Sequence, residues 1–278
     1  MWVAKKPDLQ TSINDIVNVI NAAKSKILTA NDKQEIEDLY KKYDRQNGII
    51  TQAQHKVFDT SKAKALYDLY NQTYKDKKLY YIRKELFRDT NKCPYCSINQ
   101  VDTLDHYMAE SEYKELAVCR LNLVPMCWTC NSKKRVGNVS DFVHPYYSGL
   151  PTGVQFFVCH TNVDDNDNLS WNFGFDSSVL EESLYDTLKK QVSKTDALPR
   201  IMAESNTFVS DNFANGYDCD EALASYIEYL MESYKQYGQN DWRNALLYAF
   251  KTNQDITANV INNYIRSNPS PINSGFVI

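Results

Sequence analysis

The sequence predicts an α+β protein, mainly α, with helical N- and C-terminal regions around a small central unit. Three observations predict this class. Apolar residues recur at helical spacing before residue 91 and again after residue 177. Two Cys-x-x-Cys pairs lie between these regions, and they are formed by Cys93, Cys96, Cys127 and Cys130. Two short apolar segments around the polar run 162–168 are typical of a β-hairpin.

The chain of 278 residues divides into three regions on these patterns. Residues 1–90 form a helical N-terminal region, residues 91–150 form the central unit, and residues 151–278 form a mostly helical C-terminal region with the predicted hairpin. A chain of this length has room for one large domain or for two to three small ones. The C-terminal region carries no motif that indicates chemistry, so we expect it to dock a partner.

The N-terminal region shows three apolar stripes at helical spacing. The first predicts a helix with Ser12 or Asp15 as its N-cap, and it consists of Ile13, Ile16, Val17 and Ile20. The second and third stripes cover residues 66–74 and 79–86. The dipeptide Asn47-Gly48 predicts a turn between the earlier helices.

The C-terminal region begins with the predicted hairpin, whose strands cover residues 154–159 and 169–173 with a long loop between them. Ser178 and Glu181 have the spacing of a capping box. The apolar stripes that follow predict helices over residues 180–192, 223–230 and 242–250. The tail after Asn268 contains two prolines, so we expect it to be irregular.

Composition and charge argue against several functional classes. The net charge is −4 and the isoelectric point is near 5.6, which argues against a strong stand-alone DNA binder. Any nucleic-acid function must rest on a local basic patch or on a partner. The sequence has no run of about 18 apolar residues, so we expect no membrane span. The N-terminus lacks an apolar signal-peptide core, and we therefore expect a cytoplasmic protein.

The cysteine spacing predicts a zinc site. Disulfides are disfavoured in a reducing cytoplasm, and two Cys-x-x-Cys turns provide the four thiolates of a tetrahedral Zn²⁺ site. A dithiol redox motif is the alternative for a single pair, but two pairs favour structural zinc. The remaining cysteines are expected to be small buried hydrophobic residues, and they are Cys119, Cys159 and Cys219.

Polar residues between the cysteine pairs indicate a second site. Asp105 and His106 lie in the segment 101–107, which we expect to be a strand. Neighbours on a strand point to opposite faces, so the backbone must be irregular there if both residues serve one site. Asn122 lies in a short apolar run, and Asn131 directly follows the last cysteine. We expect Asn131 to open a helix that carries Lys133, Lys134 and Arg135.

The order of these residues, over about residues 91–147, resembles that of the HNH endonucleases. In that family a ββα-metal unit of two strands and a helix surrounds one catalytic metal ion, and in many members two cysteine knuckles hold zinc at its ends. The residues that carry the resemblance are Asp105-His106, then Asn122, then Asn131 in the sequence CWTCNSKK. The fold it implies is a central zinc-stabilised HNH unit between the helical regions.

The resemblance implies a role for each matching residue. His106 would be the general base, and Asp105 and Asn131 would hold a catalytic Mg²⁺ or Mn²⁺. Asn122 would brace the loop that orients His106. The residues expected to bind substrate phosphate are Lys133, Lys134 and Arg135.

One stretch departs from the family pattern. This chain has Met108-Ala109-Glu110 where many relatives have Pro-Lys, and Glu110 would repel a phosphate at that position. His144 follows the predicted HNH helix closely, and we expect it to support the site or to serve packing.

The wider sequence resembles the nuclease subunits of bacterial antiphage systems of the Septu type, which act with an ATPase partner. The segments that carry this resemblance are IRKELFRDTNKCPYC, TLDHY, NLVPMCWTCN and HPYY. It implies a DNA-cutting effector of antiviral defence. The alternatives are a stand-alone restriction or homing HNH nuclease, and a zinc-stabilised nucleic-acid or protein binding module without catalysis.

Overall fold

The computed structural model describes residues 2–23, 27–135 and 139–269. The chain forms two compact units, of which the first contains Trp2–Tyr95 and Asn99–Gly149. The second contains Cys96–Ile98 and the described part of Leu150–Ile278. Helices account for 52% of the structure, and the described residues form two sheets of two strands each. The α+β, mainly α class is therefore confirmed, whereas the division into three regions stays a prediction.

The first unit contains seven α-helices and one two-stranded sheet among its described residues. The helices are α1 (Leu9–Asn14), α2 (Ile16–Ala22), α3 (Lys33–Arg45), α4 (Gln52–His55), α5 (Thr60–Asp68), α6 (Tyr80–Asp89) and α7 (Trp128–Lys134). The strands are β1 (Thr103–His106) and β2 (Leu123–Met126), and they pair antiparallel.

The first helical stripe forms two short helices with a different start from the one that the sequence predicted. The N-cap of α1 is Asp8, whose carboxylate accepts a hydrogen bond from the Thr11 amide at 2.8 Å. Ser12 lies inside α1, and Asp15 lies between α1 and α2 without a side-chain capping bond. The predicted side-chain cap therefore forms at neither Ser12 nor Asp15, although Asp15 occupies the N-cap position of α2; the first amides of α1 are satisfied by Asp8, one turn before Ser12.

Asp15 instead takes part in a buried ion pair. The Arg120 guanidinium donates from Nε to Asp15 Oδ2 at 2.5 Å and from Nη1 to Glu85 Oε2 at 2.6 Å. Burial lowers the pKa of Arg120, but the two carboxylates outweigh burial and raise it above its ordinary value. Arg120 thus connects the start of α2 and helix α6 to the segment that precedes β2.

The central segment has the strand–strand–helix order that the sequence predicted, but α7 begins earlier than expected. Cys127 is the N-cap of α7, with its Sγ accepting from the Cys130 amide. The Asp102 carboxylate accepts from the Trp128 amide at 2.6 Å. Because these acceptors satisfy the first amides of the helix, α7 starts at Trp128. Asn131 consequently lies within the helix rather than at its start, which corrects the prediction.

The second unit contains a hairpin and five α-helices among its described residues. The strands are β3 (Phe157–Val163) and β4 (Leu169–Phe175), and they pair antiparallel. The helices are α8 (Glu182–Lys194), α9 (Ala197–Asn212), α10 (Asp220–Tyr234), α11 (Trp242–Thr252) and α12 (Ala258–Ser267).

The hairpin was predicted correctly, but its connection is shorter than expected. The Asp164 carboxylate accepts from the amides of Asn166 and Asn168 at 2.9 Å each, which closes a tight turn. The predicted capping box does not form, because Ser178 donates to Asp176 and α8 begins only at Glu182. The predicted irregular tail after Asn268 lies outside the described residues except for Pro269.

The membrane expectation is met within the described ranges. None of the helices there combines the length and the apolar character that a membrane crossing requires.

Arg120 provides a test of the packing of the first unit. The change Arg120→Ala leaves Asp15, whose side chain is 10% exposed, without its cation. We expect the free energy of unfolding to fall by about 3–5 kcal/mol, because breaking a buried ion pair leaves one buried charge without a counter-charge. The control is Lys251→Ala, since Lys251 and Glu228 form an exposed pair worth about 0–1 kcal/mol. Urea unfolding measures both changes, and equal losses in the two variants would contradict the assignment.

Candidate metal centre and active site

The four paired cysteines form a buried cluster. All four thiols are buried, and their Sγ atoms lie within 4.8 Å of one another. In a tetrahedral site with Zn–S bonds of about 2.3 Å, the sulfur atoms lie about 3.8 Å apart. The cluster therefore needs only a small contraction to hold Zn²⁺. The cysteines are Cys93, Cys96, Cys127 and Cys130.

The two cysteine pairs bracket the small sheet. The first pair precedes β1, and its loop is closed by a hydrogen bond from the Cys93 amide to the Asn99 carbonyl at 3.0 Å. The second pair connects β2 to α7. A cation held by both pairs would fix the beginning of β1 relative to the beginning of α7.

His106 lies at the end of β1 and is buried. Its Nε2 lies 2.8 Å from the carbonyl oxygen of Ala117. A carbonyl can only accept, so Nε2 carries the proton and Nδ1 holds the lone pair in the neutral ring. Glu110 Oε2 lies 3.4 Å from Nδ1. Burial lowers the pKa of His106 to about 4, which keeps the ring neutral near pH 7.

Asp105 precedes His106 on β1 and has different neighbours. Its Oδ2 lies 2.8 Å from Lys134 Nζ on α7 and has no other hydrogen-bond donor among the described residues. Burial raises the pKa of Asp105 more than Lys134 lowers it. The sequence predicted an irregular backbone if both residues serve one site, but β1 keeps a regular antiparallel register with β2. Asp105 contacts α7, whereas His106 contacts Ala117.

Asn122 is fully buried, and its side chain forms four hydrogen bonds with described residues that hold the loop between the strands. It accepts from the Met108 amide at 2.8 Å and donates to the carbonyls of Met108 and Leu116 at 3.1 and 3.4 Å. It also accepts from the Tyr43 hydroxyl at 3.0 Å. Leu116 is adjacent in sequence to Ala117, whose carbonyl oxygen accepts the hydrogen bond from His106 Nε2. These contacts hold the loop whose Ala117 carbonyl bonds to His106, and the role at the site that the resemblance implied for Asn122 stays a prediction.

Tyr43 and His144 extend this network, and sequence reasoning missed Tyr43. The His144 Nδ1 accepts from the Tyr146 amide at 3.2 Å, so Nε2 carries the proton and donates to the Tyr43 hydroxyl at 3.2 Å. Burial lowers the pKa of His144 to about 3, which fits this neutral ring. A Cβ at Gly48, whose φ is +79°, would lie 2.4 Å from the His144 ring. The predicted Asn47-Gly48 turn therefore makes room for His144.

The basic residues near α7 have different surroundings. Lys133 and Arg135 are exposed, but the Lys134 side chain is only 3% exposed. Besides Asp105, Lys134 Nζ lies 3.3 Å from the His106 carbonyl oxygen. Asn131 is half-buried and donates from Nδ2 to Thr103 Oγ1 on β1 at 3.0 Å. That bond leaves its carbonyl oxygen Oδ1 as a possible metal ligand.

Comparisons with known proteins give a limited match. No protein-family model matches this chain, and no solved structure matches it. Protein ea31 of Escherichia phage lambda is 32% identical over 94 residues, which cover 26% of this chain and 32% of the phage protein. The chain thus spans about a third of that relative's length. The similarity is therefore local and covers a minor part of both chains.

Proposed function

We propose that this chain is an HNH-type endonuclease that uses a divalent metal ion to hydrolyse phosphodiester bonds in DNA. The observation that carries the proposal is the set of polar residues on the strand–strand–helix segment between the cysteine pairs. A buried histidine ends β1, an aspartate precedes it, and Asn131 on α7 bonds to Thr103 of the same strand. These residue types supply a base and hard oxygen ligands, which metal-assisted hydrolysis requires.

Two kinds of metal site fit these side chains. The four clustered thiols suit Zn²⁺, whereas carboxylate and amide oxygens suit Mg²⁺ or Mn²⁺. Asp105 would bind the metal ion through its buried carboxylate, and Asn131 would bind it through Oδ1. In this structure the Asp105 carboxylate is paired with Lys134. When bound there, a divalent cation supplies positive charge to the phosphate and to the leaving oxygen.

His106 is the residue that we assign to deprotonating the attacking water. The Ala117 carbonyl holds the ring through Nε2–H, so the water proton passes to Nδ1. Glu110 lies 3.4 Å from Nδ1, where that water would stand. The Glu110 side chain is 34% exposed, so it can turn toward solvent when substrate enters.

Lys133 on α7 and Arg135, which directly follows this helix, are exposed to solvent. We assign contacts with the substrate phosphates to them. Lys134 was expected to bind phosphate as well, but its buried pairing with Asp105 supports a different role. It holds the Asp105 carboxylate beside α7.

The biological setting that we propose is an effector of antiphage defence that acts with an ATPase partner. The net charge of −4 supports this dependence, because phosphate contacts by basic residues supply most non-specific DNA affinity. A partner would then deliver DNA to the site, and the second unit is the candidate docking region. The local similarity to a lambda phage protein is compatible with this setting and with a stand-alone HNH nuclease.

A second candidate function is a zinc-stabilised binding module without catalysis. The observations that favour it are the regular backbone of β1, which directs Asp105 and His106 to opposite faces of the strand, and the charge balance of the polar site. Lys134 neutralises Asp105 at 2.8 Å, and Glu110 occupies the space beside His106 Nδ1. This candidate predicts bound zinc but no cleavage with Mg²⁺ or Mn²⁺.

The zinc assignment predicts about one zinc ion per chain, measured by elemental analysis. Structural zinc contributes on the order of 10–16 kcal/mol in zinc-finger peptides, which exceeds a typical domain stability of about 5–15 kcal/mol. Cys130→Ser should therefore lose zinc and become protease-sensitive between residues 91 and 150. The exposed Cys219 gives the control Cys219→Ser, which should keep its zinc. Folded wild-type protein without zinc would contradict the assignment.

The base assignment predicts that His106→Gln nicks plasmid about 10²–10⁴-fold more slowly than wild type in Mg²⁺. Glutamine can still donate to the Ala117 carbonyl but has no basic nitrogen, so the fold and the zinc content should be kept. The control His160→Ala, at an exposed position of β3, should nick at the wild-type rate. Normal nicking by His106→Gln would show that His106 is not the base. A wild-type protein that binds zinc and never nicks would favour the binding module.

A further inference from the structure

Arg83 on α6 is buried without a carboxylate partner. It is 8% exposed, and no acidic group of the described residues lies within ion-pair distance of it. Its hydrogen bond runs from Nη2 to the Tyr70 hydroxyl at 3.2 Å. Its Nε is buried and has no hydrogen-bond partner. The guanidinium therefore keeps donors that no described protein group satisfies.

The rings around Arg83 compensate its charge only in part. Its guanidinium carbon lies 4.6 Å from the ring centre of Tyr74, 5.5 Å from that of Phe87 and 5.8 Å from that of Tyr70. Cation–π contacts compensate only part of the cost of burying an ion. An anionic ligand would supply the missing compensation.

In two other buried arginines of this chain the guanidinium charge is balanced by carboxylates. Arg120 is paired with Asp15 and Glu85, and Arg243 is paired with Asp241 at 2.8 Å. Both are as deeply buried as Arg83, at 4% and 8% exposed. Arg83 is thus different in its charge balance, and burial alone does not explain the difference.

Tyr70 connects Arg83 to the polar site on β1. The Tyr70 hydroxyl accepts from Arg83 and donates to the Leu104 carbonyl on β1 at 2.8 Å. The Tyr70 ring lies edge-on to the His106 ring, with 4.5 Å between their centres. One tyrosine therefore contacts both the unpaired cation and the assigned base.

We propose that Arg83 binds a phosphate oxygen of the DNA backbone beside His106, and this inference rests on the proposed endonuclease function. A guanidinium fork matches two phosphate oxygens; its side-on pair is Nε–H and Nη2–H, of which Nε–H bonds to no described group and Nη2 has a second N–H besides the one on Tyr70. The ring nearest to the guanidinium belongs to Tyr74, which is 48% exposed. Rotation of Tyr74 toward solvent opens Arg83 to the ligand. The N-terminal helices thereby contribute a substrate contact to the central segment.

The first test uses inorganic phosphate as the probe and does not depend on cleavage. Thermal unfolding of the full chain is followed while phosphate replaces chloride at constant ionic strength. The midpoint temperature of unfolding of the wild-type protein should rise as phosphate replaces chloride. In Arg83→Met most of that rise should be lost. The matched control is Arg88→Met on the same helix, because the Arg88 side chain is 72% exposed. An equal gain in wild type and Arg83→Met would overturn the inference.

Arg83→Lys covers the case in which Arg83→Met does not fold. It keeps the charge but removes the fork, so its response to phosphate should be weaker than that of wild type. A lysine variant with the full wild-type response would also overturn the inference.

The second test measures plasmid nicking in Mg²⁺ with the same variants. Arg83→Met should lower kcat about 10²-fold, as expected for the loss of one donor that stabilises transition-state charge. Zinc content should stay the same, and Arg88→Met should match wild type. Unchanged nicking by Arg83→Met would overturn the inference and leave the endonuclease function standing. Phosphate binding through Arg83 in a protein that never nicks would support the site and contradict the endonuclease function.

Discussion

Four thiol groups approach within 4.8 Å of one another, and the central segment depends on this contact. A sheet of two four-residue strands is marginally stable without further support. Four thiolates at such distances would also repel one another without a cation between them. A zinc ion held by the four cysteines would resolve both problems, because it would bind the turn before β1 to the first turn of α7. Asn131 follows Cys130 directly, so the same contact decides where the amide of Asn131 lies relative to β1.

The loop between β1 and β2 depends on a buried amide rather than on a metal. Asn122 holds both Met108 and Leu116, and the adjacent Ala117 carbonyl orients His106. Tyr43 on α3 and His144 complete the network from outside the small sheet. The helices of the first unit therefore help to position the candidate base. Tyr70 likewise connects a helix to the small sheet, because its hydroxyl donates to the Leu104 carbonyl on β1 and accepts from Arg83 on α6.

The features that the sequence predicted well depend on residues close together in the chain. Cys-x-x-Cys spacing brings two thiols to one point, Asn47-Gly48 adopts positive φ in a turn, and period-two alternation defines the hairpin. The helix starts were predicted poorly, because more than one polar residue near each start can cap it. Asp8 and Glu181 are the observed N-caps of α1 and α8, one turn before Ser12 and three residues after Ser178.

The features that the sequence did not reveal depend on contacts between distant residues. The pairing of Lys134 with Asp105 joins positions 29 residues apart, and Tyr43 bonds to Asn122 across 79 residues. A run of basic residues looks uniform in sequence, yet the helix buries Lys134 and leaves Lys133 and Arg135 exposed. That no described carboxylate pairs with Arg83 is likewise visible only once its neighbours are known. The catalytic roles of Asp105, His106, Asn122 and Asn131 stay predictions from the resemblance.

The central claim is that one chain holds two metals of different chemistry in adjacent places. The most direct measurement is anomalous X-ray diffraction from crystals soaked in Mn²⁺, with data collected at the zinc and manganese edges. The account predicts a zinc peak about 2.3 Å from each of four sulfur atoms and a separate manganese peak bound by Asp105 and Asn131. A single metal peak among the cysteines, with Lys134 still on Asp105, would contradict it.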